Sequence, residues 1–322
     1  MDYIVVDFEW NQSSYGKGSE KKKLPFEIIE IGAVKLDENR QVLDTFDVLI
    51  RPKVYKKLYY ITQDLTGINQ KELDHGASFP ETIVDFMLWC GDDFMFCTWG
   101  DTDLIELQRN MKYYRLLDLL PGPLSYYNVQ KLFQKFFGTQ CETQERQVCS
   151  LEEAVDFCQL DKQETFHRAI HDAHYTAEIF SLMDPEKIKT WFSVDYYQNP
   201  QTKAEEIHLS YDTYSKYISR EFISREEALR DKEVSCVRCY LCNRNARKMT
   251  SWFLGKGRDY YCVANCREHG LLVGKIRFRK TDEGHLYVVK TVRACPQEEA
   301  MQLRQMKAEV TEKRRERRHR EA

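Results

Sequence analysis

The chain has 322 residues, room for about two domains, and its 42% hydrophobic content is that of a globular protein. No apolar run approaches the ~20 residues that would cross a bilayer as a helix, and no leader precedes the first apolar stretch, so the expected compartment is the cytoplasm, without a membrane. The net charge of −3 conceals an asymmetry: residues 236–293 hold thirteen Lys/Arg against four Asp/Glu, residues 294–322 add +2, and residues 1–235 are left at −14.

In chain order, "IVVDFEW" (Ile4–Trp10) begins as a buried strand and then presents two acids. Two further strands follow, Pro25–Asp37 and Val42–Pro52, joined by the polar turn Glu38–Arg40; with the first they predict a meander. The polar insert Asn11–Lys23 reads as a flexible loop at its tip. Ile83, Phe86, Met87 and Cys90 recur at helical spacing after Pro80, a residue suited to a first turn. Phe94–Gly100 predicts a buried strand, followed by a helix with Asp101 at its N-cap. Helices are predicted over "NVQKLFQKFFG", over "SLEEAVDFCQL" behind a Ser150/Glu153 capping box, and over Asp172–Met183. This order predicts an α/β domain with a mixed sheet flanked by helices over residues 1–183. Residues 184–235 read as a connector, 236–295 as a small basic β module, and 296–322 as a charged tail, helical or disordered.

Positions i and i+2 of a strand share a face, so Asp7 and Glu9 form a carboxylate pair while Phe8 and Trp10 point the other way. Paired like charges repel unless a cation lies between them, and hard divalent ions prefer oxygen ligands. From this spacing alone, a hydrated strand end is the simpler reading. Two more fragments carry chemistry: "TWGDTDLIELQ", with Asp101 and Asp103, and "FHRAIHDAHYTAEIF", where His167 lies five residues before Asp172. His171 and His174 read as surface or helix-start residues, and Glu30 as a structural carboxylate within a strand.

In this order the fragments resemble the DEDDh 3′–5′ exonucleases of the RNase H-like superfamily. "FEIIEIGAVKLD", "DTFDVLIRP", "LTGI" and "FPETIVDF" are similar to the Eri-type, KapD-like exoribonuclease branch. The resemblance covers residues 1–183 and implies that Asp7, Glu9, Asp103 and Asp172 hold two Mg²⁺ or Mn²⁺ ions, such pairs lying about 3.5–4 Å apart. Asp103 is preferred to Asp101 because it directly precedes the apolar helical run. His167 is implied as the general base, a task that histidine's ordinary pKa of about 6.5 suits. Leu65, Thr66 and Gly67 are implied as the floor under the terminal nucleotide. Phe8 and Trp10 are candidates for base stacking, though their orientation away from the acids favours packing. The implied reaction releases 5′-mononucleotides from single-stranded nucleic acid, RNA favoured over DNA. A DNA exonuclease and a catalytically silent binding protein are the competing readings, and no obligate protein partner is inferred.

The second module contains Cys239-x₂-Cys242-Asn243 and Cys266-x₂-His269-Gly270, two knuckles each ending in a residue that tolerates positive φ. Four such ligands make one structural, closed Zn²⁺ site in a zinc-ribbon-like hairpin module, with Cys262 or Cys236 as alternates. Basic residues interleave there with Trp252, Phe253, Tyr260 and Tyr261, a mixture suited to single-stranded nucleic acid.

Overall fold

The computed structural model describes residues 1–13, 21, 23–138, 149–162, 165–255, 257–281 and 283–321. It divides into two compact units, residues 1–197 and 198–322. Most of the insert expected as a flexible loop, residues 14–20 and 22, lies outside the described residues; Asn11 belongs to the first strand.

The first unit opens with β1 (Asp2–Asn11), whose β-branched Ile4, Val5 and Val6 suit a doubly covered strand. β2 (Glu27–Leu36) and β3 (Val42–Leu49) complete the antiparallel meander. Two short helices follow that periodicity did not predict, α1 (Tyr60–Thr66) and α2 (Gln70–Asp74). Then come α3 (Phe79–Cys90), β4 (Phe94–Thr98), α4 (Thr102–Tyr113), β5 (Leu124–Asn128), α5 (Val129–Phe137), α6 (Leu151–Phe157) behind its Ser150/Glu153 capping box, α7 (Ala169–Ser181), α8 (Pro185–Ile188) and β6 (Ser193–Asp195). The sheet order is β3-β2-β1-β4-β5-β6, with β4 and β5 parallel to β1 and the other pairs antiparallel. Apolar side chains cover both faces. Phe8, Ile31, Phe86 and Leu104 join one cluster; Val5, Val34, Phe133 and Ala173 join the other.

One close approach fixes the architecture around β1. Ala169, Ala173 and Ala177, spaced four apart, let α7 lie against β1 and β2. A Cβ on Gly32 would come within 2.1 Å of the Ala169 and Ile170 backbone. Gly32 pairs with Asp7 across the β1–β2 ladder, so this glycine lets the helix reach the strand beside the acids.

The second unit begins with β7 (Ile207–Ser210), β8 (Tyr214–Ile218), α9 (Arg225–Arg230) and α10 (Lys232–Ser235). It continues with β9 (Arg247–Lys248), β10 (Phe253–Leu254), β11 (Tyr260–Cys266), β12 (Gly270–Lys280), β13 (Leu286–Ala294) and α11 (Gln297–Glu321). The path is β10-β11-β12-β13-β8-β7, with β9 beside β11, all antiparallel. The segment 184–235, read as a connector, is therefore divided between the units. β6 extends the first sheet, β7 and β8 extend the second, and Ala228 and Val234 pack with Ile276 and Val288. These strands are three to five residues long, too short for alternation to stand out in sequence. The tail is a helix whose start packs through Ala300 and Leu303.

Candidate active site

Asp7 and Glu9 lie at the carboxyl end of β1 and share the face turned toward α7. The β1–β2 register shifts immediately after Glu9, where Ile29 is an extra residue on β2. Asp103 occupies the first turn of α4 and is 6% exposed, whereas Asp101 is exposed and makes no capping bond. Asp172 is buried in the first turn of α7. His167, in the loop before α7, is exposed and held at φ 67°; its backbone N–H donates to Asp172 Oδ2 at 3.2 Å. Ligating atoms of Glu9, His167 and Asp172 lie within 4.8 Å of one another.

The electrostatics of these groups are mutually unfavourable. Burial, then the charges of Asp103, Glu9 and Asp172, pushes the Asp7 carboxyl well above its ordinary range. Burial, then Asp172 and Glu30, raises Glu9 to about 8. Burial raises Asp103 to about 7, against the N–H donated by Phe8, and Asp172 to about 6, against that of His167. Asp172 Oδ1 is buried without a hydrogen-bond partner. A convergent all-carboxylate donor set with an orphaned oxygen fits hard divalent cations, whose charge relieves the repulsion.

Glu30 does more than its placement in a strand suggests. It lies opposite Glu9 in the ladder, wholly buried. Arg168 Nε donates to its Oε1 at 2.9 Å, Arg168 Nη2 to the same oxygen at 2.6 Å, and the Ala169 N–H to its Oε2 at 3.0 Å. Glu30 thus fastens Arg168 and Ala169 at the entry of α7, directly after His167 and four and three residues before Asp172. An acid within an otherwise apolar strand was the available signal, since such a charge needs a partner.

The residues expected to touch substrate divide. Phe8 is 2% exposed in the apolar core, so its ring has no face for a base. Trp10 packs against that cluster, 5.8 Å from the Phe26 ring. Both point to the face opposite the acids, as strand alternation requires. Leu65 is exposed at the end of α1; Thr66 is buried, its hydroxyl donating to Thr62 O at 2.8 Å; Gly67 takes a left-handed φ of 69° as the helix cap.

In the second unit, ligating atoms of Cys239, Cys242, Cys266 and His269 converge within 4.8 Å. The spacings are 3.5 Å (Cys239 Sγ to His269 Nδ1), 3.7 Å (Cys242 to Cys266 Sγ) and 3.7 Å (Cys266 Sγ to His269 Nδ1). A tetrahedron around zinc with Zn–S near 2.3 Å has edges of about 3.7 Å, so the quartet fits. Asn243 and Gly270, which end the two knuckles, have φ of 56° and 75°. Backbone N–H groups of Glu268 and His269 lower the Cys266 thiol to about 6, toward the thiolate a metal takes. Neither alternate joins them. Buried Cys262 donates to Thr250 O at 3.0 Å and burial raises it to about 11; Cys236 donates to Glu233 O at 3.3 Å.

A sheet of this order, with an acid pair ending β1, an acid in the first turn of α4 and His-x₄-Asp entering α7, defines a class: the DEDDh 3′–5′ exonucleases on an RNase H-like fold. The chain belongs to the RNase T exonuclease family, whose model matches residues 4–180. It is similar to the probable 3′–5′ exonuclease KapD of Bacillus subtilis, 28% identical over 185 residues, which are 57% of this chain and 85% of KapD. It is similar also to the 3′–5′ exoribonuclease 1 of Rattus norvegicus, 25% identical over 148 residues, and of Homo sapiens, 26% over 145. This chain spans about two fifths of the length of exoribonuclease 1. Among solved structures, the nuclease domain of 3′hExo bound to rAMP aligns with 56% of this chain and 90% of its own, at 22% identity and a TM-score of 0.48.

Proposed function

We propose that the protein removes 5′-mononucleotides from the 3′ end of single-stranded RNA by a two-metal hydrolysis in which His167 is the general base. The carrying observation is that ligating atoms of Glu9, His167 and Asp172 lie within 4.8 Å of one another, with Asp103, Glu9 and Asp172 near enough to Asp7 for their charges to raise its carboxyl. Asp7, Glu9, Asp103 and Asp172 would hold Mg²⁺ or Mn²⁺. Bound there, such ions lower the pKa of a water and neutralise charge on the departing 3′ oxygen. His167, exposed and turned by its positive φ, takes the proton from the attacking water. The Glu30–Arg168 pair keeps that loop in place. RNA is favoured because relatives in two mammals are exoribonucleases by name.

One zinc at Cys239, Cys242, Cys266 and His269 would be structural, since four protein ligands leave no open position. The basic second unit, with exposed Arg247, Arg279 and Lys280, is read as a nucleic-acid contact. The cytoplasm is the proposed compartment, where thiols stay reduced and able to bind zinc.

One assay tests the reaction. Single-stranded RNA and DNA of the same sequence, each labelled at the 3′ or the 5′ end, are incubated with Mn²⁺ and wild type or Asp7→Ala. Mononucleotides released from 3′ ends of RNA, and lost in the variant, are the expected result. Equal release from DNA would make the protein a general 3′ exonuclease. No release from either polymer would overturn the reading in favour of a silent nucleic-acid-binding protein.

A further inference from the structure

Residues 51–60 read Arg-Pro-Lys-Val-Tyr-Lys-Lys-Leu-Tyr-Tyr: four cations, three tyrosines and no acid within ten residues. The segment links β3 to α1. Its backbone is fastened from beneath by three side chains. Glu27, 3% exposed, accepts the N–H groups of Lys53 (2.8 Å), Val54 (3.0 Å) and Tyr55 (2.7 Å). Asn11, with no exposure, donates to Tyr55 O (2.8 Å) and Lys57 O (3.0 Å) and accepts from Tyr59 N–H (2.9 Å). Gln70 accepts from Leu58 N–H (2.8 Å) and donates to Lys56 O (3.0 Å). Every residue from 53 to 59 is therefore tied through its main chain.

The consequence lies on the outer side. With the backbone held inward, Arg51, Lys53, Lys56, Lys57 and Tyr60 are exposed. Among the described residues, none of these four cations pairs with an acid. A connecting loop does not need a buried carboxylate and a buried carboxamide to hold it, because desolvating such groups is costly. Rigidity here serves what the outer face presents. The segment is anchored close to the acids: Asn11, which holds it, is two residues past Glu9 on β1, a rise of roughly 7 Å. The helix that follows adds exposed Tyr60, Ile61 and Leu65. Cations on a fixed backbone, next to exposed rings and apolar groups, are the ingredients of a single-strand platform, with ammonium groups on phosphates and an aromatic face for bases.

We propose that residues 51–60 form a strand guide, a preorganised site for backbone phosphates and one base of the substrate immediately upstream of the nucleotide being cut. The inference rests on the exonuclease reading and adds where the rest of the strand runs. With the main chain held before binding, only the side chains have to order when the strand arrives.

The test measures binding separately from turnover. The probes are a fluorescein-labelled single-stranded RNA 15-mer and the corresponding dinucleotide, with Ca²⁺ replacing Mg²⁺ and salt as the variable. In the variant Lys53→Gln/Lys56→Gln/Lys57→Gln, the affinity gained by lengthening the probe from two to fifteen nucleotides falls at least about tenfold. The slope of log K against log salt shrinks by about 0.7 for each lysine removed. Tyr60→Ala weakens the 15-mer by about tenfold and leaves the slope as in wild type, since stacking releases no counterions. An unaltered slope and length gain in the triple variant would overturn the guide. If the triple variant melts early, the three single variants decide, each expected to lower the slope by about 0.7. If wild type released no nucleotide from any polymer, the exonuclease reading alone would fall, because this slope is read without turnover.

Discussion

The buried carboxylate of Glu30 and the guanidinium of Arg168 meet at 2.6 Å, joining the strand opposite Glu9 to the residue that follows His167. The pair ties β2 to the start of α7, and this junction sets the distance between the acids of β1 and the His-x₄-Asp segment. Glu30→Gln keeps the shape and removes the charge. It is expected to destabilise by about 1–3 kcal/mol, less than for a fully buried pair because Arg168 is partly exposed. It is also expected to lower kcat by about 10–100-fold, as loss of a ligand-orienting contact does. Denaturant unfolding measures the first and single-turnover cleavage the second; a merely structural role would leave kcat per folded molecule as in wild type.

The crowded acids give a pH signature. Glu9, Asp103 and Asp172 are raised to about 8, 7 and 6 in the folded chain, against ordinary values near 4 when unfolded. An acid raised on folding contributes stability that is present below its unfolded pKa and is lost as pH rises through its folded pKa. Metal-free protein should therefore lose melting temperature from about pH 4 to about pH 8. Mg²⁺ or Mn²⁺ at millimolar concentration should restore it, more at pH 8 than at pH 6. Thermal melts at both pH values, with chelator and with metal, check this; a melt that neither ion shifts would count against the metal site.

Asp7→Asn separates function from stability. Removing one charge from the set should abolish metal-dependent cleavage while raising the melting temperature of the metal-free protein at pH 8. Calorimetry beside the labelled-RNA assay reads both. A variant less stable than wild type at pH 8 would mean that Asp7 is held by contacts other than a cation.

His167→Ala should cost about 10²–10⁴ in kcat, the usual weight of a general base. Its side chain is exposed, so the melting temperature should stay within about 1–2 °C of wild type. Because its backbone N–H, not its ring, bonds Asp172, that contact survives the substitution. Stopped-flow single turnover gives the value, and an undiminished rate would remove His167 from the mechanism.

Elemental analysis should find one zinc per chain. Cys239→Ser should lose it and lower the melting temperature of the second unit, whereas Cys262→Ser should keep it, because Cys262 Sγ bonds Thr250 O away from the quartet. Retention of zinc by Cys239→Ser would put the ligand set in error.

By itself the sequence determined the meander, a strand expected over Phe94–Gly100 and found over Phe94–Thr98, most of the longer helices and both knuckles. Each rests on a short-range rule: alternation, a 3.6-residue period, a capping box, or a turn residue that tolerates positive φ. It also put Phe8 and Trp10 opposite the acids, since strand alternation is local. Only the tertiary structure decided what depends on distant partners. Glu30 reads only as a structural strand acid, with no partner, until α7 brings Arg168 138 residues along the chain to meet it. Gly32 is an ordinary strand glycine until that helix lies on it. Cys262 stood as an alternate to Cys266 by sequence; the two share a face of β11, but Cys266 ends the strand beside His269, whereas Cys262, four residues back, donates to Thr250 O. Residues 184–235 read as a connector because strands of three to five residues carry too few side chains to show a period, and it is pairing with strands distant in sequence, β5 and β13, that holds them in the sheets.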